Sequence, residues 1–85
     1  MSDLDKLRQK IIALDKKLLK TLKERFNVAQ KIGKMKKGPI HDPKREHKLL
    51  QKWLAQGLDK NFTRALFHMI LKESKNLMTN HNLSS

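Results

Sequence analysis

From Leu4 to Ile32 the chain repeats apolar residues at steps of three and four: Leu4, Leu7, Ile11, Leu14, Leu18, Leu22, Phe26, Ala29 and Ile32. That spacing keeps one face of an α-helix apolar for its whole length. No proline interrupts it before Pro39. Ser2 followed three residues later by Asp5 is a capping-box-like start, so the pattern predicts one helix reaching Lys36 or Lys37. Gly33 is a local weakness in it that permits close packing. Such a helix is about 50 Å long at 1.5 Å per residue, whereas a compact chain of this size has a radius of gyration of about 12 Å. One end of the stripe then needs cover from outside its own chain. With only 85 residues to build a core, an intimate homodimer is the simplest remedy.

The rest of the chain reads as two shorter helices in the same single domain, residues 1–85. The segment "GPIHDP" is a connector in which Gly38 stops the first helix, Asp42 caps the next and Pro43 takes its first position. Leu49, Leu50, Trp53 and Leu54 form the apolar side of the second helix, which ends by Gly57. Asp59 caps a third helix, whose apolar residues Phe62, Leu66, Phe67, Met69, Ile70, Leu71, Leu77 and Met78 spread over two faces, as suits a helix packed between neighbours. Residues 78–85 read as a frayed tail. The fold class is all-α, three helices per chain with one very long, interlocked in a homodimeric helical bundle.

Composition narrows the function classes. The chain has no cysteine, which excludes disulfides and thiolate metal sites. No apolar run approaches the roughly 18 residues of a membrane span, and the acidic start "MSDLD" is unlike a signal peptide, so a cytoplasmic protein is expected. A formal net charge of +12 favours an anionic partner: nucleic acid, an acidic membrane surface or a small polyanion. Charge alone does not choose among these.

Charge against pattern is more discriminating. At about 100° per residue the stripe of the first helix centres on the direction of Leu18, and Arg25 and Lys36 fall within about 20° of that centre. The lysines at 6, 10, 16, 17, 20, 23, 31 and 34 point well away and form a solvated face. In the second helix Glu46, Leu49, Leu50 and Trp53 stand at i, i+3, i+4 and i+7, which puts a carboxylate on the apolar stripe with Arg45 at its side. Buried charges are costly unless paired or used. Either Glu46 pairs internally with Arg25 or Lys36, or these groups line a polar pocket with more cations than anions, shaped for a small anion. Arg8 lies on the flank of the stripe, 17 residues before Arg25 and so about 25 Å away along the helix. It cannot share a small pocket with Arg25 of its own chain, whereas an antiparallel partner helix can bring it there.

The stretches "LDKLRQKIIALDKKLLKTLKERFNVAQKIGKMKK", "HDPKREHKLL" and "LFHMILKESKNLM" resemble, in order and spacing, the all-α chorismate mutases. The motifs are L-R-x-x-I-x-x-L-D-x-x-L-L, E-R, I-G-x-x-K and D-P-x-R-E, and with the third stretch they extend the resemblance over residues 4–78. It implies three helices per chain in an interlocked dimer with two active sites, each completed by an arginine of the other subunit. It implies that Arg8 reaches across to the substrate while Arg25 binds a carboxylate in its own subunit, and that Lys36 donates to the ether oxygen of the breaking bond. Asp42, through its backbone, and Glu46 hold the ring hydroxyl; Arg45 shapes the charged wall; Ser74 donates near the ring carboxylate; Ile32, Leu49 and Leu71 pack against the ring. The implied reaction rearranges chorismate, a small dianion, to prephenate with no nucleophile, metal or cofactor.

Two features depart from the family pattern. The turn "KKGPIHDP" is short, which affects the pose of Asp42. Met78 stands where the family places a glutamine or glutamate that also donates to the ether oxygen, and a thioether has no proton to give. A slow mutase leaning on Lys36 is therefore expected, since one lost donor of this kind costs about a hundredfold or more in rate. A related reading on the same charged wall is an isochorismate pyruvate-lyase. Readings from another class are a non-catalytic mutase-like module and a basic nucleic-acid binder. The latter is disfavoured by one tryptophan, no tyrosine and no recognition-helix motif. His41, His47, His68 and His81 lack a metal-ligand spacing and read as surface or turn residues. Trp53 reads as core. Ser74, without a histidine and carboxylate in register, is no hydrolase nucleophile.

Overall fold

Side-chain oxygens placed three residues ahead of an orphan backbone N–H set the start of each helix. Ser2 Oγ accepts from the Asp5 N–H at 3.2 Å, Asp42 Oδ1 from the Arg45 N–H at 3.2 Å, and Asp59 Oδ2 from the Phe62 N–H at 2.8 Å. In the computed structural model, which describes residues 2–36 and 42–80, these caps open α1 (Asp3–Lys36), α2 (Pro43–Leu54) and α3 (Lys60–Asn80). Pro43 occupies the first turn of α2, where its missing N–H costs nothing. Gly57, in the turn between α2 and α3, has φ 94°, a conformation that a side chain would strain. Residues 78–80 continue α3. Gly38, Pro39 and His41 of the connector, and His81 with the rest of the tail, lie outside the described residues.

α3 is the middle element. It packs against α1 on one side and α2 on the other, while the Cα atoms of α1 and α2 stay more than 8 Å apart, so that these two helices approach each other through side chains such as Arg25 and Trp53. Its two apolar faces therefore serve two neighbours. The core is small: Phe67 at 2% exposure, with Ile70 and Ala29 also buried. Trp53 of α2 meets Phe67 edge-on, ring centroids 5.0 Å apart, an arrangement that suits the aromatic quadrupoles. Buried Thr63 spends its hydroxyl proton on the Asp59 carbonyl at 2.8 Å.

The crossing of α1 and α3 depends on Gly33. A Cβ at this position would lie 2.7 Å from Met78 Cα and 2.8 Å from Met78 Cβ. Glycine thus lets the two backbones close together, which outweighs its cost inside a helix. Beyond this crossing the molecule is elongated, with extents of 53 × 31 × 15 Å and a radius of gyration of 16.3 Å. The first half of α1 projects past α3. Along it Leu4, Leu7, Ile11, Leu14 and Leu18 are 55–61% exposed.

Candidate active site

Where the second half of α1 meets α2 and α3, a cleft of ≈ 240 Å³ opens. α1 contributes Ile32; the start of α2 contributes Asp42, Arg45 and Glu46; α3 contributes Leu71, Ser74, Lys75 and Met78. A larger hollow, ≈ 370 Å³, runs along Leu19, Leu22, Phe26 and Leu77, with Lys23 as its one charged group. The smaller cleft is the candidate site, because acids and bases from separate elements converge there.

Helix starts and face periodicity place these groups. The Asp42 cap fixes the first turn of α2, so Arg45 and Glu46 emerge at the cleft mouth. On α3, Leu71, Ser74, Lys75 and Met78 stand at i, i+3, i+4 and i+7, one face of one helix. Ile32 lies on the α1 stripe, opposite that face. Of the residues expected to touch substrate, the structure thus brings together Ile32, Asp42, Arg45, Glu46, Leu71, Ser74 and Met78.

Arg25 joins them through Ser74. Its Nη1 donates to Ser74 Oγ at 2.7 Å, and its guanidinium carbon lies 6.0 Å from the centre of the Trp53 ring, at the edge of cation–π range. Burial first, and then the nearby charge of Arg45, lowers the Arg25 pKa from its ordinary value. The guanidinium still keeps its proton at neutral pH, as arginine does in proteins. Two cations facing each other from α1 and α2 are what an anion would relieve. Ser74, 3% exposed, gives its own proton to the Ile70 carbonyl at 2.8 Å. In this arrangement the hydroxyl accepts from Arg25 and has no second proton for a ligand.

Three expected participants stand apart. Lys36 is the last residue of α1, exposed, one turn beyond Ile32 and outside the cleft wall. Leu49 is half-buried on α2 and likewise outside it. Arg8 is exposed on the projecting half of α1. The internal pairing considered for Glu46 as one alternative is also different: its Oε2 meets Lys75 Nζ at 3.2 Å, with the side chains 19% and 30% exposed. Neither Arg25 nor Lys36 takes that carboxylate, since Ser74 and Trp53 occupy Arg25 and Lys36 lies out at the helix end. Lys75 is the cleft residue that sequence reasoning missed. The available signal was the one used for Arg25, a cation on the face of Leu71 and Met78.

His47 and His68 are exposed; His68 lies beside Phe67, ring centroids 5.8 Å apart. Among the described residues no group of three histidine, cysteine or acidic side chains is placed to hold a metal ion, and no helix is long and apolar enough to cross a membrane.

Comparison with known proteins places the chain among relatives by sequence. The bifunctional chorismate mutase/prephenate dehydratase of Escherichia coli strain K12 is 40% identical over 75 residues, covering 80% of this chain and 19% of that protein. The protein of the same description from Aquifex aeolicus strain VF5 is 39% identical over 57 residues, 64% of this chain and 16% of that one. That from Enterobacter agglomerans is 37% identical over 75 residues, 80% and 19% of the two chains. The chain therefore spans about a fifth of the length of these curated relatives. No solved structure gives a significant match. The family model for chorismate mutase type II matches residues 7–79, a span that takes in α2, nearly all of α1 and α3, and every wall of the cleft, and on that match the chain belongs to the chorismate mutase type II family.

Proposed function

We propose that the chain is an isomerase that rearranges chorismate to prephenate in the cleft between α1, α2 and α3. The observation that carries this reading is the convergence of Arg25, Arg45 and Lys75 around only two carboxylates, Asp42 and Glu46, in a cleft whose remaining walls are largely apolar. A unimolecular rearrangement needs a pocket that holds a dianion folded on itself and aims fixed donors at the charge developing on the ether oxygen. It asks for neither a nucleophile nor a general base. In this reading Arg25 binds a carboxylate, Glu46 and the Asp42 backbone hold the ring hydroxyl, Ile32 and Leu71 flank the ring, and Arg45 completes the charged wall. Lys36, one turn from Ile32, swings in to the ether oxygen. Met78 brings no N–H, and slow turnover is the consequence expected from that position.

The functional unit in this proposal is a homodimer, and a cytoplasmic location belongs to the same reading. The exposed leucine stripe of α1 and the apolar hollow along Leu19, Leu22 and Phe26 are continuous on one helix. A radius of gyration of 16.3 Å, against about 12 Å for a compact chain of this length, supports the cover of that face by a second copy. An antiparallel partner would carry its own Arg8 to the cleft. The deciding assay follows the loss of chorismate absorbance with the purified chain and with Arg25→Ala. Turnover well above the uncatalysed rate, lost in the variant, is expected. A rate equal to background in the unaltered chain would sink the proposal and leave a non-catalytic module of the same fold.

A further inference from the structure

The donor content of the cleft wall is smaller than its charge suggests. Ile32, Leu71 and Met78 have no N–H or O–H side-chain donor, and the ionised carboxylates of Asp42 and Glu46 only accept. Ser74 sits in the wall, but its proton goes to the Ile70 carbonyl. Apart from Arg25, which reaches the cleft through Ser74, the side chains of the wall that can donate to an anion are therefore Arg45 and Lys75. Lys75 is also the one that is held: Glu46 Oε2 lies 3.2 Å from its Nζ, in a partly buried pair. An ammonium has three N–H donors, and a single carboxylate oxygen takes one. The pair with Glu46 thus draws the lysine stem along the cleft and leaves donors for a ligand, instead of neutralising the site completely.

We infer that Lys75 is a catalytic residue of this cleft, a cation that Glu46 positions and that donates directly to the bound dianion, adding an N–H next to the position where Met78 has none. Lys75 and Met78 are i and i+3 on α3, so their side chains share one face within a turn. The inference rests on the mutase reading above. It also changes one consequence of it, because a second donor offsets part of the rate lost at position 78.

The test compares Lys75→Met, Lys75→Arg, Glu46→Gln and Glu46→Gln/Lys75→Met in the full chain, by chorismate turnover and by calorimetric binding of prephenate. Helical circular dichroism and melting temperature serve as folding controls. Lys75→Met is expected to lose roughly tenfold to a hundredfold in kcat/KM, the scale of one hydrogen bond to a charged group. Lys75→Arg should recover most of that loss. The double variant should fall below Glu46→Gln alone, since a lysine that touches substrate still matters once its partner is neutral. A double variant equal to Glu46→Gln would overturn direct contact and make Lys75 only a support for the carboxylate. Lys75→Met equal to the unaltered chain in both assays, while Arg25→Ala is inactive, would overturn the inference and leave the mutase reading standing. If the unaltered chain shows no turnover, that reading fails and prephenate affinity decides alone: weaker binding by Lys75→Met keeps Lys75 as a ligand of dianions, and equal binding removes it.

Discussion

The two halves of α1 carry the same apolar spacing and meet opposite fates. From Leu22 to Ile32 the stripe lies against α3: Ala29 and Gly33 are buried, and Leu22, Phe26 and Ile32 are half-buried. From Leu4 to Leu18 nothing among the described residues covers it, and Leu14 is 61% exposed. Local sequence does not distinguish the halves, because both read as one amphipathic helix. The length of the other elements does. α2 and α3 have 12 and 21 residues, about 18 and 32 Å at 1.5 Å per residue, and cannot sheathe a 34-residue helix. In the proposed homodimer, the uncovered half of this stripe is buried by the second copy.

The largest effect should come from charging the uncovered half. Leu7→Asp with Leu14→Asp is expected to abolish activity and reduce the solution mass, measured by light scattering, from twice the chain to the single 10.0 kDa chain. Unchanged mass and activity would mean that the projecting stripe is not an interface, and the contrast between the halves would lose its proposed meaning.

The next prediction couples the halves chemically. Arg8→Ala and Arg25→Ala should each lose about a hundredfold or more in kcat/KM, the scale of a lost transition-state donor. Refolding the two variants together in equal amounts should restore about a quarter of the original activity, because about half of randomly paired dimers are mixed and each mixed dimer has one intact site. Recovery is not expected if Arg8 serves the cleft of its own chain, and an assay of the refolded mixture reads this directly.

A smaller effect tests the covered half. Gly33→Ala puts a methyl where α1 touches the Met78 backbone, and chemical denaturation should show a loss of about 1–3 kcal/mol as the helices are forced apart. Activity should fall with it, since Ile32 and Met78 face each other across the same crossing. The least effect is expected at Met35, 80% exposed and off the stripe. Met35→Gln should shift stability by less than about 0.5 kcal/mol and leave the solution mass unchanged. Together with the leucine variants, this separates an exposed apolar residue from membership of the stripe.

Much of the fold was legible because its determinants are local. The caps at Ser2, Asp42 and Asp59 act over three residues, and the stripes are set by helical periodicity within each segment. Arg25 was recognisable for the same reason, as a charge that broke a pattern. Seven cleft residues were named from the resemblance and converge in the structure, yet the pairing among them was not legible. Of the two alternatives left open for Glu46, a pair with Arg25 or Lys36 is not formed; it holds Lys75 instead, because only the packing of α2 on α3 determines which cation lies within reach. Lys75 itself was passed over as one lysine among many.

Sequence alone therefore determined which segments are helical, where they start, and which charges stand on the wrong face, since hydrogen bonds and side-chain phase repeat every few residues. Tertiary structure decided what those charges do. The Arg25–Ser74 bond joins residues 49 positions apart, and the Glu46–Lys75 pair joins two different helices. At such separations the partner is chosen by how helices cross, and that depends on contacts such as Gly33 against Met78 that no single segment contains.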